Sequence, residues 1–138
     1  MKAIDHLHMP ELLSNEYPVQ LSDTEQETYK QFKSELILEM QDTEITAANA
    51  AALSNKLSQL ANGAVYDDTG AVIPIHSRKL DALEDLIEAT NGKPVLVAYW
   101  FKHDRTRIAE RLQRLRVSYQ EIQSSDSIRN WNARRLQV

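Results

Sequence analysis

Cysteine is absent from the 138 residues. A disulfide framework, a cysteine-built zinc ribbon and a thiol nucleophile are excluded together, and nothing in the thiol chemistry points to secretion, so an intracellular, cytoplasmic setting is expected. Glycine is scarce, with three residues. A phosphate-cradling loop needs the pattern G-x-x-x-x-G-K-[ST]. The sole Gly-Lys pair, Gly92-Lys93, has no glycine five residues before it and is followed by Pro94. It reads as a helix stop ahead of a strand. No G-x-S-x-G elbow is present either, which argues against self-contained covalent catalysis. Long apolar runs are also missing. The longest, Pro94 to Phe101, falls far short of the roughly 20 residues that span a bilayer, and no apolar signal region opens the chain.

Histidine and aromatic residues are few. None of His6, His8, His76 and His103 stands at the i, i+4 spacing of a helical metal site, and His6-Leu7-His8 lacks a preformed frame with further ligands, so no metal is expected. Trp100, Phe101 and Trp131 are expected to pack rather than to stack on bases. What the chain does have is 42% apolar and 26% charged residues, the balance of a folding domain. The formal charge of −4 conceals a division. Residues 1–92 carry 6 Lys/Arg against 16 Asp/Glu, whereas residues 93–138 carry 10 against 4. Only the second part is suited to meet a polyanion.

Residues 1–18, with Pro10 and Pro18, read as a tail or linker. Val19 and Leu21 suggest a short strand. Ser22-Asp23-Thr24-Glu25 then fits a capping box that opens a helix over about 23–41, with Tyr29, Phe32, Leu36 and Met40 as its apolar stripe. Thr43 to Thr46 breaks the pattern. Thr46 caps a second helix carrying Leu53, Leu57 and Leu60 and stopped by Asn62-Gly63, so that 19–63 forms an antiparallel helical pair. Residues 64–76 read as a β-hairpin turning at Asp67-Asp68-Thr69-Gly70. Ser77 caps a third helix over 78–90. On it Asp81, Glu84, Asp85 and Glu88 are read as a solvated face.

From Pro94 the texture changes. Val95 to Trp100 is a continuous apolar run of the kind found in buried parallel strands, followed by a helix with Ile108, Leu112 and Leu115, a strand at Val117 to Tyr119, a helix over Asp126 to Asn132 and a third strand from Leu136. The β-α-β-α-β order implies an α/β fold with a parallel sheet. A sheet of so few strands is incomplete. Its open edge at Leu136 is expected to promote self-association. The basic stretch Lys102-His103-Asp104-Arg105-Thr106-Arg107, continued by Arg111, Arg114 and Arg116, would leave the first of these strands at its carboxyl end. There, cations and the free N–H groups of a first helical turn can hold phosphate. The alternative is a solvated helix face.

Three blocks now stand in order: Leu57-Ser58-Gln59-Leu60-Ala61-Asn62-Gly63-Ala64-Val65-Tyr66, then Lys79-Leu80-Asp81-Ala82-Leu83, then Pro94-Val95-Leu96-Val97-Ala98-Tyr99-Trp100-Phe101-Lys102-His103-Asp104. With Ile128-Arg129-Asn130-Trp131-Asn132, they resemble the C-terminal lobe of SWI/SNF-related superfamily-two helicases, bacteriophage-type members above all. The likeness runs over about 17–138. It implies a partial RecA-like lobe over 77–138 and a parent protein that hydrolyses ATP with magnesium while stepping along duplex DNA. Its partners would be that DNA and an N-terminal ATPase lobe of the same protein. The family's first lobe, with its phosphate loop and acidic metal-binding motif, is absent, as are the later glycine-containing and arginine-bearing motifs. The resemblance therefore implies that this chain alone binds no cofactor and hydrolyses no ATP. It also implies DNA-backbone contacts through Lys102, His103 and Arg105, then Arg107, with Lys79 last. A reading of another class is a non-enzymatic module whose acidic helices and sheet edge bind protein.

Overall fold

Ser22 and Glu25 close on each other at the head of the first helix. The Ser22 N–H donates to the Glu25 carboxylate at 2.7 Å and the Glu25 N–H donates to the Ser22 hydroxyl at 3.3 Å. Two N–H groups that the helix itself leaves free are thereby satisfied. The computed structural model describes residues 11–41 and 47–138. Over these it comprises α1 (Asp23–Gln41), α2 (Ala47–Asn62), β1 (Ala64–Tyr66), β2 (Val72–Pro74), α3 (Arg78–Ala89), α4 (Lys102–Arg114) and α5 (Ser125–Asn132). The expectations for residues 1–10, His6 and His8 among them, for the Thr43 to Thr46 break, for the Thr46 cap and for the Met40 side chain lie outside the described residues. Residues 11–22 have no regular secondary structure, so the short strand at Val19 and Leu21 does not form.

α1 packs on α2. Tyr29, Phe32 and Leu36 are half-buried, and Tyr29 shares a shallow groove with Leu53 and Leu57 of α2. α2 stops where Gly63 takes φ +93°, a conformation that costs glycine little. The Gly63 carbonyl then accepts N–H bonds from Ile75 and His76, at 2.9 and 3.2 Å, which seats the end of the hairpin against the end of the helix. β1 and β2 pair antiparallel with Val65 opposite Ile73. Their turn is organised by the Asp67 carboxylate, which accepts the Thr69 and Ala71 N–H groups, both at 2.8 Å. Gln59 and Lys56 of α2 reach over to the Tyr66 N–H and carbonyl, so the polar groups at that end of β1 are satisfied by side chains.

The core gathers at this junction: Leu60, Ala64, Val65, Ile87 and Leu112 are buried, contributed by α2, β1, α3 and α4. α3 is clamped to α4 through Arg111, whose guanidinium reaches Glu84 at 2.6 Å and Asp81 at 2.8 Å. The acidic face of α3 is thus not merely solvated. Two of its four carboxylates are spent on a neighbouring helix. Arg78 at the head of α3 pairs with Glu25 at 2.7 Å, and the Ser22 N–H, with Arg78 second, holds the Glu25 carboxyl down to about 2.

The expected α/β architecture is not what the chain forms. The described residues hold five helices and one two-stranded antiparallel hairpin, with no parallel RecA-like sheet over 77–138. The three segments read as parallel strands do approach one another. Val95 N–H donates to Gln137 O at 2.7 Å, Gln137 and Val138 N–H donate to Ser118 O at 3.0 and 3.1 Å, and Gln120 N–H donates to Val138 O at 3.0 Å. Four bonds shared by three short segments do not build a ladder. Nor does the apolar run receive the burial that would stabilise a central strand: Leu96 is 65% and Trp100 85% exposed. Trp100 accordingly does not pack, contrary to expectation. Among the described residues, no helix is long and apolar enough to cross a membrane.

Candidate nucleic-acid interface

Phe101 ends the irregular run in an extended conformation, φ −103° and ψ 150°, and α4 begins at the next residue. The Asp104 carboxylate turns back to accept the Phe101 N–H at 3.2 Å and the Asn62 side-chain amide at 3.1 Å. The His103 N–H donates to the Tyr66 hydroxyl at 2.9 Å. The head of α4 is therefore occupied by a carboxylate and a phenol, and does not offer the open N–H cradle expected of it. Any affinity for phosphate here must come from side chains.

The five residues singled out from sequence separate into two groups. Lys79 and Arg107 meet at Asn62, at the end of α2, and His103 lies close by, between Tyr66 and Phe101. Lys79 donates to the Asn62 side chain, and Arg107 donates to the Asn62 carbonyl at 3.0 Å and to the His76 carbonyl at 2.5 Å. Burial pulls the Arg107 guanidinium below its ordinary value, with Asp104 opposing and Arg111 adding to the shift. His103 is 3% exposed, its ring stacked on Phe101 with centroids 5.2 Å apart and tilted against Tyr66 at 5.1 Å. So enclosed a ring offers a phosphate little surface, although it borders the groove described below. Lys102 and Arg105, the second group, are exposed, and Arg105 pairs with Glu121.

An exposed stripe on α4 was not legible as a unit. Lys102, Thr106, Glu110 and Arg114 follow one another at i, i+4 and line a groove of about 510 Å³ between α4 and the hairpin with the head of α3, floored by Val72, Pro74 and Leu80. Among the described residues neither Lys102 nor Arg114 forms an ion pair. The i+4 signal was present in the sequence, masked by the neighbouring Arg107 and Arg111 that serve the fold.

His76 and His103 flank the same Arg107, and none of their four ring nitrogens has a hydrogen-bond partner among the described residues. His103 Nδ1 lies 3.1 Å from Asp104 Oδ1, but out of line for a hydrogen bond. Both imidazoles are pulled below the ordinary value, chiefly by burial and further by Arg107. Lys79 adds to this at His76, Glu25 and the Leu60 carbonyl oppose it there, and Asp104 opposes it at His103. An unfolded chain binds these protons at about pH 6.5, before the folded one does. Stability is accordingly full above about pH 6.5 and is expected to fall as the pH drops from there through the lower folded values. Urea midpoints between pH 8 and pH 5 should decline, and His103→Phe, which keeps a ring between Tyr66 and Phe101, should flatten the decline. An identical profile in that variant would remove His103 from the account.

Comparison with known proteins gives a similarity to a phage protein whose name states no function. The chain is 38% identical over 109 residues to protein p41 of Acyrthosiphon pisum secondary endosymbiont phage 1, a stretch that covers 78% of this chain and 24% of that protein. The chain thus spans about a quarter of the length of the curated relative it matches. No family model and no solved structure matches.

Proposed function

We propose that this chain is part of a SWI/SNF-related, ATP-driven DNA translocase, where it supplies a contact surface for the DNA backbone, although residues 77–138 do not form the RecA-like sheet that the resemblance implied. The three ordered sequence blocks support the family, and the observation that carries the surface is the exposed α4 stripe with unpaired cations at both ends, Lys102 and Arg114. Twelve residues of helix set them about 18 Å apart, close to the rise of five base pairs at about 3.4 Å each. Glu110, between them, repels phosphate, so the two ends act as separate contacts. Arg105 is a third cation on the same helix and gives up Glu121 when it engages. Nucleotide and magnesium belong to the parent motor, and the opposing ATPase lobe is its other partner.

Lys102→Gln with Arg114→Gln removes two phosphate contacts without touching the bracing around Asn62. The slope of log K against log salt for a DNA duplex should become shallower by about 2, since each contact releases roughly 0.9 counterion. An unchanged slope would reduce α4 to a solvated face and favour the protein-binding module.

A further inference from the structure

Asparagine is followed by glycine twice in the chain, at Asn62-Gly63 and at Asn91-Gly92. In such a pair no Cβ shields the glycine nitrogen, so it can approach the side-chain carbonyl carbon of the asparagine before it. The fold treats the two pairs in opposite ways. At the first, every group that such an approach would use is held. The Gly63 N–H donates to the Leu60 carbonyl at 3.0 Å, while the Asn62 side-chain amide donates to Asp104 at 3.1 Å and accepts from Lys79. Arg107 grips the Asn62 main-chain carbonyl at 3.0 Å and Gly63 is buried, so the peptide between the two residues is fixed as well.

Asn91-Gly92 ends α3 in a turn open to solvent. Asn91, Gly92 and Lys93 are all exposed. Among the described residues, neither the Asn91 side chain nor the Gly92 N–H has a hydrogen-bond partner. The turn hangs on the Lys93 N–H, which donates to the Thr90 carbonyl at 3.2 Å, and on the Asn91 N–H, which donates to the Glu88 carbonyl at 3.1 Å. Its central residues take φ +51° and +78°. A Cβ on Gly92 would meet nothing within 4 Å, so no neighbour packs over that side of the glycine.

We infer that Asn91 is a site of spontaneous covalent modification, an intramolecular deamidation from which the like pair at Asn62 is protected. The Gly92 nitrogen yields its proton to solvent base and attacks Cγ of Asn91. A C–N bond forms, the side-chain nitrogen takes up a proton and leaves as ammonia, and a cyclic imide remains. Water then breaks one of the two acyl bonds to the Gly92 nitrogen. Opening at Cγ gives aspartate, and opening at the main-chain carbonyl gives the isoaspartyl linkage. The net change is an amide and water converted to an acid and ammonia, with no oxidation.

Both products alter the turn. Each brings a new carboxylate to the C-terminal end of α3, beside the carbonyls of its last turn, where negative charge is unfavourable. The aspartyl product keeps a backbone that short polar residues tolerate at positive φ. The isoaspartyl product adds a carbon to the main chain, which takes the Lys93 N–H out of register with the Thr90 carbonyl. The turn leads through Pro94 to Val95, whose N–H donates to the Gln137 carbonyl at 2.7 Å, so the change loosens the approach to that contact.

The inference stands apart from the DNA reading and has its own test. The natural protein is held in mildly alkaline buffer, with and without urea, and the conversion of each asparagine is followed by peptide mass spectrometry. Three hydrogen bonds hold the Asn62 side chain and the Gly63 N–H, and releasing them should slow attack there at least about tenfold relative to Asn91 in the folded chain. In urea the two rates should converge, because those bonds are gone. Asn91→Gln, whose longer side chain closes a ring far more slowly, should remove the acidic species that accumulates on isoelectric focusing. Equal rates at Asn62 and Asn91 in the folded protein, or an Asn91 rate no greater than that of the exposed Asn132, which precedes Ala133, would overturn the inference.

Discussion

Gly63→Ala is expected to destabilise the protein by roughly 2–5 kcal/mol, the sum of a strained backbone and an overlap that cannot relax cheaply. The position has φ +93°, and an added Cβ would lie 2.3 Å from the carbonyl oxygen of His76. That oxygen is backbone, and Arg107 holds it from the other side. Gly70→Ala is the matched comparison, because Gly70 also has positive φ, +84°, yet a Cβ there meets nothing within 4 Å. It should show only the conformational part, about 1–2 kcal/mol. Urea unfolding followed by circular dichroism separates the two. Equal losses would mean that the seating of the hairpin on the end of α2 is looser than the structure has it.

Arg107→Met should cost about 2–4 kcal/mol, because the stem is kept while two main-chain oxygens lose a charged donor. Arg107→Lys should recover little of this, since one ammonium cannot reproduce a fork that reaches two carbonyls in different elements. The same variants sort bracing from DNA contact. If Arg107 braces the fold, stability falls while the salt slope of DNA binding in the folded protein stays as it is. A shallower slope with unchanged stability would return Arg107 to the phosphate-binding group.

Local chemistry was read correctly where a few adjacent residues settle it. Ser22 and Glu25 cap α1 by the expected reciprocal bonds, Asn62-Gly63 ends α2, and the turn at Asp67 to Gly70 joins β1 to β2. The helix expected over 78–90 appears at Arg78–Ala89, though the Ser77 hydroxyl turns to the Asp81 carboxylate rather than capping an N–H. Pairings between distant positions were not legible. Nothing at Arg111 announces that it grips Asp81 and Glu84, 30 and 27 residues earlier, and a run of cations reads alike whether it faces solvent or a carbonyl.

The parallel sheet failed for a related reason. A continuous apolar stretch reports an appetite for burial, but a strand exists only when a neighbour supplies a ladder, and Val95 to Trp100 finds one backbone partner. Of the candidate site, the basic character of the segment was legible and its division was not. His103 is buried and Lys102 exposed because a helix turns about 100° per residue, so neighbours in sequence serve different faces, while the half-buried Arg107 braces two carbonyls and still lines the groove with Lys102.

The double grip of Arg107 also bears on the order in which the chain assembles. Its two carbonyl partners lie 45 and 31 residues back along the chain, so each contact alone would close a long loop. Asn62 and His76, however, are already brought together by the Gly63 carbonyl and its two N–H donors before α4 is needed. Once one contact forms, the second encloses almost no additional free chain, and loop-closure entropy is charged only once. The α2 and hairpin junction is thus held together by its own bonds, and for α4 the second carbonyl contact adds little closure cost to the first.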